Sequence, residues 1–223
     1  MRPRVVMIHA VQESIPPVRQ AFGDVFPEAE AINLLDEALL IDFEAAGGLN
    51  SPQGPALRRR MCALVRYGEE FGANAVGLAC SVYSPVVETA RQLVNIPVVS
   101  SYEAVMAEAV NHGRRVGLIA TNTHTMKDAR QYLEQAGQER GQKVEVRERV
   151  CEELFKVMRS EGPEAYRRLL AQEIVALAPQ VDAIVLAQFS MASALSYVAE
   201  RSAVPVLSAP HASVGKIRRL LLG

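Results

Sequence analysis

The segment AVGLACSVYS, residues 75–84, has a counterpart 108 positions later in AIVLAQFSMA, residues 183–192. The match continues without a gap over residues 75–104 and 183–212, and its identities fall at Ala75, Leu78, Ala79, Pro97, Val98, Ser100 and Ala104 of the first copy. A shift of 111 positions adds three identities, at Arg4, Val5 and Ile8. Self-similarity at a fixed spacing is typical of a duplicated structural unit. We therefore interpret the chain as one unit present twice.

Short β-rich runs alternate with longer helical patterns, which is typical of parallel βαβ units. The predicted strands are Val5–Ala10, Ala31–Leu35, Ala75–Cys80, Val98–Ser100, Val116–Thr121, Val144–Arg147, Ala183–Ala187 and Val206–Ser208. The clearest helices are one that begins at a Ser51-Pro52 cap and one over Pro163–Leu177. We predict two α/β lobes, residues 1–112 and 113–223, each with a mainly parallel four-stranded sheet. The C-terminal helix is expected to pack on the first lobe.

Composition excludes several classes of protein. The 223 residues carry 24 Lys and Arg against 25 Asp and Glu, a balance that disfavours a nucleic-acid or anionic-membrane partner. The longest apolar runs are too short to span a membrane, and residues 2–10 are interpreted as containing a first strand rather than a signal peptide. Cys62, Cys80 and Cys151 form no C-x-x-C pair, which suits the reducing cytosol. No histidine pair has zinc-ligand spacing, so we predict no metal. No dinucleotide fingerprint is present, so we predict no cofactor of that kind.

Polar residues follow the strands that should flank a ligand crevice. In open parallel sheets, ligands bind beyond the carboxyl ends of the strands, where the winding reverses. In a flavodoxin-like order, the first and third strands of each lobe lie there. Their ends carry His9 and Cys80–Tyr83 in the first lobe, and Thr121–Thr123 and Gln188–Met191 in the second.

Cys80 is the strongest catalytic candidate. It precedes a helix predicted to begin at Ser84-Pro85, and the positive end of a helix dipole lowers the pKa of a thiol. The Ser81 and Val82 N–H groups and the Ser81 and Tyr83 hydroxyls would hold an anion. The alternative is that Cys80 is a small apolar residue that closes a buried strand.

The histidines leave alternatives open. His9 could pair with Cys80 and hold a thiolate, or it could be a hydrogen-bonded core residue. His211 matches Glu103 at the 108-residue shift and is placed near the mouth of the crevice. His124 follows the fifth strand and could face either substrate or solvent.

The segments Ala75–Ser84 and Gly117–Thr121 and the second-half counterpart of the first resemble the aspartate/glutamate/hydantoin racemase superfamily, over essentially the whole chain. The resemblance implies two flavodoxin-like lobes with an active site in the cleft between them. It also implies chemistry without a cofactor, at a carbon next to a carboxylate, and an assembly that is often a homo-oligomer. In the racemases, one cysteine of each lobe exchanges the proton, from opposite faces of the substrate.

The sequence departs from the racemase pattern at the second cysteine. Cys80 matches the first-lobe cysteine, whereas the second-lobe position is Gln188, and an amide cannot exchange a proton near neutral pH. The superfamily also includes arylmalonate decarboxylases, which use one cysteine, and maleate isomerases, in which a cysteine attacks the substrate.

We therefore expect a cytoplasmic, cofactor-independent isomerase or lyase that acts on a small carboxylate through Cys80. Gln188 would orient the substrate, and the second lobe would contribute Thr121, Asn122, Thr123, Phe189, Ser190, Met191 and His211. The alternative is a carboxylate-binding protein of the same fold that catalyses nothing.

Overall fold

Two parallel sheets of four strands each form the framework of the computed structural model, which describes residues 2–223. The first sheet has the order β2-β1-β3-β4 and the second has the order β6-β5-β7-β8, and every strand pair is parallel. The strands are β1 Arg4–His9, β2 Glu30–Leu35, β3 Ala75–Leu78, β4 Val98–Val99, β5 Arg115–Ala120, β6 Glu145–Val150, β7 Ala183–Leu186 and β8 Val206–Ser208. The predicted fold class is confirmed, and each predicted strand is present within a few residues of its expected bounds.

Helices connect consecutive strands, as parallel pairing requires. They are α1 Ile15–Val25, α2 Ala38–Ala46, α3 Gly54–Glu70, α4 Val87–Arg91, α5 Glu103–His112, α6 Thr123–Glu139, α7 Glu153–Ser160, α8 Pro163–Leu177, α9 Leu195–Ala199 and α10 Ala209–Leu222. The predicted helix over Pro163–Leu177 matches α8, which buries Leu170, Ile174 and Leu177. Among the helices of residues 2–223, none combines the length and the apolar character needed to cross a membrane.

The repeat in the sequence is also a repeat of elements. At a spacing of 108 residues, β3 corresponds to β7, the 3-10 turn Ser81–Val86 to the 3-10 turn Phe189–Ala194, and α4 to α9, each with identical length. At a spacing of 111 residues, β1 corresponds to β5. The same local sequence pattern therefore builds the same strand, turn and helix twice.

The chain forms two compact units. The first contains the residues up to Ser101 together with Ser213–Gly223, and the second contains Tyr102–Ala212. In the first unit, α2 and α3 bury Leu39, Met61 and Val65 against β1 and β3. In the second unit, α8 packs Leu170, Ile174 and Leu177 into a core cluster with Ile119, Ile184 and Leu186 of the strands.

Two helices belong to the unit built mainly from the other half of the sequence. Helix α5 packs on β7 and β8 of the second unit, although it precedes the second copy in the chain. Residues 213–223, which include most of α10, belong to the first unit, where the buried Ile217 lies over Gly77 of β3.

Two predicted helix starts were wrong. Helix α3 begins at Gly54 rather than at Ser51-Pro52, because residues 48–54 form consecutive turns, with Ser51 N donating to Gly48 O and Gly54 N to Ser51 O. A Cβ at Gly54 would lie 1.8 Å from the Leu49 carbonyl oxygen, so only glycine fits there. The helix predicted at Ser84-Pro85 begins as α4 at Val87, because the preceding residues Ser81–Val86, including Pro85, form a 3-10 turn.

Candidate active site

At the carboxyl edge of each sheet, one predicted site residue follows the third strand, and the two residues occupy equivalent positions in their own sheets. Ala79 N donates to Ile8 O at 2.8 Å, and in the second unit Ala187 N donates to Ile119 O at 3.0 Å. The next residues, Cys80 and Gln188, both have extended backbone and each leads into a 3-10 turn. The two residues thus occupy equivalent positions at the end of the third strand of their own sheets.

The Cys80 thiol is buried and protonated at neutral pH. The residue is 8% exposed, and burial raises the pKa of its thiol to about 12, although the backbone N–H groups of Val82 and Tyr83 favour the thiolate. The sequence led us to expect a lowered pKa. The opposite holds because α4 has five residues and is separated from Cys80 by the 3-10 turn, so desolvation outweighs any helix dipole.

Of the three residues after Cys80, Ser81 and Val82 remain candidate site residues, whereas the Tyr83 side chain belongs to the core. The Val82 N–H favours the thiolate form of Cys80, and Ser81 is partly exposed. The Tyr83 ring is fully buried, packs on Phe43 at 5.8 Å between ring centroids, and donates its hydroxyl to Leu39 O at 2.9 Å. The expected use of the Tyr83 hydroxyl for substrate is therefore not what the structure shows, since that hydroxyl ties the 3-10 turn to α2.

His9 is a core residue with both ring nitrogens engaged. Its Nδ1 lies 2.6 Å from Ser14 Oγ and its Nε2 lies 2.9 Å from Asn33 Oδ1. Burial lowers the pKa of the imidazole to about 4, so the ring is neutral at neutral pH. The structure therefore supports the alternative of a hydrogen-bonded core histidine rather than a partner of Cys80.

Gln188 is held by Thr121 across the ends of β7 and β5. Gln188 Oε1 accepts hydrogen bonds from the Thr121 backbone N–H and from Thr121 Oγ1, both at 2.8 Å. Thr121 is 7% exposed. Thr121 thus uses its hydroxyl to position a neighbouring side chain.

The remaining second-unit candidates are spread between a helix cap, the surface and the core. Asn122 caps α6, because its Oδ1 accepts from Thr125 N at 2.8 Å, and Thr123 and His124 are exposed in the first turn of that helix. Phe189 and Met191 are buried and Ser190 is partly exposed. His211 is partly buried at the start of α10, with Nδ1 2.8 Å from Ser208 Oγ.

Arg60 and Asp36 are the main feature that the sequence analysis missed. Asp36 follows β2 directly and accepts two hydrogen bonds from the Arg60 guanidinium, both at 2.7 Å, while Arg60 also contacts Asp42 at 2.7 Å. The position of Asp36 immediately after a predicted strand was the available indication of a role at this edge.

Cys151, Glu153 and Glu173 are the residues best placed to hold a metal ion in the described part of the chain, with one ligand atom of each within 4.8 Å of the others. Burial, followed by the two carboxylates, raises the pKa of the Cys151 thiol to about 11. Glu173 also lies 3.8 Å from Arg149. A metal ion would have to displace both the thiol proton and this ion pair.

A groove of about 490 Å³ lies in the second unit, lined by Glu134, Gln138, Gly141, Gln142, Lys143 and Val144. These residues precede β6, so the groove lies at the amino edge of the sheet, opposite Gln188.

Two four-stranded parallel sheets, each ending in a polar loop at its carboxyl edge, define an α/β protein of the two-lobed racemase type. The family model for Asp/Glu/hydantoin racemase matches residues 18–219, and the chain belongs to this family. No curated protein sequence is significantly similar to the chain.

Solved structures show the same fold at low sequence identity. An aspartate racemase homologue from Pyrococcus horikoshii is 19% identical, with a TM-score of 0.74 over 99% of both chains. Allantoin racemase from Klebsiella pneumoniae is 22% identical, with a TM-score of 0.71 over 98% of this chain and 87% of its own. Unliganded arylmalonate decarboxylase is 20% identical, with a TM-score of 0.60 over 99% of this chain and 94% of its own.

Proposed function

We propose that the protein is a cofactor-independent isomerase or decarboxylase that protonates one face of a small carboxylate substrate through the Cys80 thiol. The observation that supports this most directly is the pair of equivalent strand ends. One carries a buried thiol beside backbone N–H groups of Val82 and Tyr83 that favour its thiolate form, and the other carries the amide of Gln188. An amide has no proton to exchange near neutral pH, so the proposal assigns a single proton-transfer group.

The raised pKa of Cys80 favours protonation over proton abstraction. A thiol with a pKa of about 12 is almost entirely protonated at neutral pH, so it is a poor base toward a Cα–H bond in the free protein. It remains able to protonate a carbanion, which is far more basic. Among the chemistries of the family, loss of CO2 followed by protonation needs only this direction of transfer.

The proposed decarboxylation begins at the carboxylate that the substrate loses. The bond between Cα and one carboxylate breaks, CO2 leaves, and the electron pair stays on the enolate of the remaining carboxylate. Cys80 Sγ–H gives its proton to Cα, and the N–H groups of Val82 and Tyr83 stabilise the thiolate that forms. Water then returns a proton to the sulfur. The Gln188 amide would bind an oxygen of the same substrate.

The test is a stereochemical assay in deuterated water on a panel of substituted malonates, amino acids and hydantoins. We expect one enantiomer of a decarboxylation product that carries one deuterium at Cα. Cys80→Ala should abolish turnover, whereas Cys62→Ala should keep it, because Cys62 lies in α3, away from the strand ends. Rapid racemisation of any compound by the wild-type protein would contradict a single proton-transfer group.

Binding without turnover is the second candidate function. It is favoured by the same high pKa of Cys80 and by the amide at position 188. Carboxylate binding measured by calorimetry that is equal in the wild type and in Cys80→Ala, with no turnover of the panel, would establish it instead.

A further inference from the structure

We infer that Thr121 fixes the orientation of the Gln188 amide so that Gln188 offers only N–H donors to a ligand, and that the group it binds is a carboxylate or carbonyl oxygen rather than an amino group. This inference rests on the proposed function for its assumption that Gln188 contacts the substrate. Thr121 is then a positioning residue, and the substrate class is one with an acceptor oxygen at the Gln188 end.

The orientation follows from the chemistry of the partner. The Thr121 backbone N–H can only donate, so the amide atom 2.8 Å from it is the oxygen of Gln188. Thr121 Oγ1 is 2.8 Å from the same oxygen. Two donors occupy both lone pairs of this oxygen and leave no acceptor capacity on the side chain for a ligand.

The nitrogen of the same amide is available. Within residues 2–223, no protein group makes a hydrogen bond with Gln188 Nε2, and the side chain is partly exposed. Its two N–H donors therefore need an acceptor from solvent or from a ligand. An ammonium group in that position would also present only donors, and neither group would be satisfied.

The pairing of a threonine with a glutamine amide occurs in the second unit and not at the equivalent positions of the first unit. The residue that follows β1, Ala10, corresponds to Thr121 after β5, and Cys80 corresponds to Gln188. Alanine has no hydroxyl with which to hold a neighbouring amide. The hydroxyl and the amide thus occur together in one unit and are both absent from the equivalent positions of the other.

The experiment uses the full chain with Cys80→Ala, which prevents turnover, and two probes of similar length: malonate, with two carboxylates, and 1,3-diaminopropane, with two ammonium groups. The side-chain amide resonance of ¹⁵N-labelled Gln188, assigned by its loss in Gln188→Glu, should shift with malonate and stay unchanged with the diamine. A Gln188 amide resonance that does not move at saturating malonate would overturn the inference, as would a complete lack of malonate binding.

Substitutions at the two positions sharpen the test. Gln188→Glu keeps the acceptor for Thr121 but presents a carboxylate oxygen, so malonate should bind roughly ten- to a hundredfold more weakly and the diamine more tightly. Thr121→Val should weaken malonate binding several-fold and Thr121→Ser should restore it, because serine keeps the hydroxyl. The exposed Gln92→Glu controls for added charge. Equal malonate affinity in Gln188→Glu and in its parent would contradict the inference.

The two proposals can fail separately. Malonate binding of this kind with no turnover of any compound would remove the proposed function and leave the role of Gln188. Turnover that needs Cys80 but is unaffected by Gln188→Glu would leave the proposed function and overturn this inference.

Discussion

At the scale of single residues, burial rather than sequence neighbourhood sets the chemistry of Cys80 and His9. His9 ends β1 and Cys80 follows β3, so both lie at the carboxyl edge of the first sheet. The sequence made both residues candidates for charged catalytic groups. Burial raises the pKa of the thiol and lowers the pKa of the imidazole, so each is neutral at neutral pH. Cys80 is therefore a protonated thiol, as the proposed function requires, and His9 is a neutral core residue bonded to Ser14 and Asn33.

The His9 pKa predicts how the stability of the protein depends on pH. The pKa of the folded state, about 4, is below the ordinary value of about 6.5, so the unfolded chain takes up the proton first. The stability that neutral His9 contributes is present above pH 6.5 and is lost as the pH falls toward 4. Between pH 7 and pH 4.5, the wild type should lose about 2–3 kcal/mol more of its free energy of unfolding than His9→Gln.

Urea unfolding of both proteins at the two pH values measures this difference, and the carboxylates common to both cancel. An equal loss in the two proteins would show that His9 does not resist protonation in the folded state.

At the scale of secondary-structure elements, Arg60 connects α3 to α2 and to the end of β2. Its guanidinium forms a bidentate pair with Asp36 and a further bond to Asp42. The Asp36 side chain is 17% exposed and that of Arg60 is 38% exposed, so the pair is better shielded from water than a surface ion pair. The contact holds α2, whose Leu39 carbonyl receives the Tyr83 hydroxyl, close to the loop that carries Cys80.

Replacing Arg60 by methionine should lower the free energy of unfolding by about 1–2 kcal/mol, because the Asp36 carboxylate would remain partly buried without a cation and with only the Ala38 N–H as a donor. Arg59→Met is the matched control, since Arg59 is an exposed neighbour in the same helix and should change stability by less than about 0.5 kcal/mol. Urea unfolding at neutral pH gives both values. Equal effects of the two substitutions would show that the Arg60 contacts contribute no more than surface charges.

At the scale of the whole molecule, the end of the chain completes the fold of its beginning. Residues 213–223 belong to the first unit, and Ile217 is fully buried there beside Gly77. The second unit takes α5 from the first half of the sequence. Each unit thus contains a helix that comes from the other half of the sequence.

Ile217→Ala should therefore destabilise the first unit, although the residue lies in the last helix. We expect a loss of about 2–4 kcal/mol from the cavity left in the core, and hydrogen exchange should lose protection mainly in β1 and β3. Ile174→Ala in α8, equally buried but within the second core, should lower protection mainly in β5 and β7. Loss of protection in the second sheet alone on Ile217→Ala would contradict the assignment of residues 213–223.

The α/β class, the eight strands and the repeated pattern of elements can be read from the sequence alone, because hydrophobic periodicity and repeat spacing are properties of the chain itself. The sequence also placed Cys80 and Gln188 after equivalent strands. Which side chains are buried, and with which groups they pair, depends on how the elements pack. His9 joins Ser14 and Asn33, Tyr83 bonds to Leu39, and Thr121 holds Gln188. These pairs join residues from separate elements, and the desolvation that sets the pKa of Cys80 comes from all the surrounding atoms. Neither the hydrogen-bond partners of these side chains nor the pKa of Cys80 can be obtained from the residues next to each position in the chain.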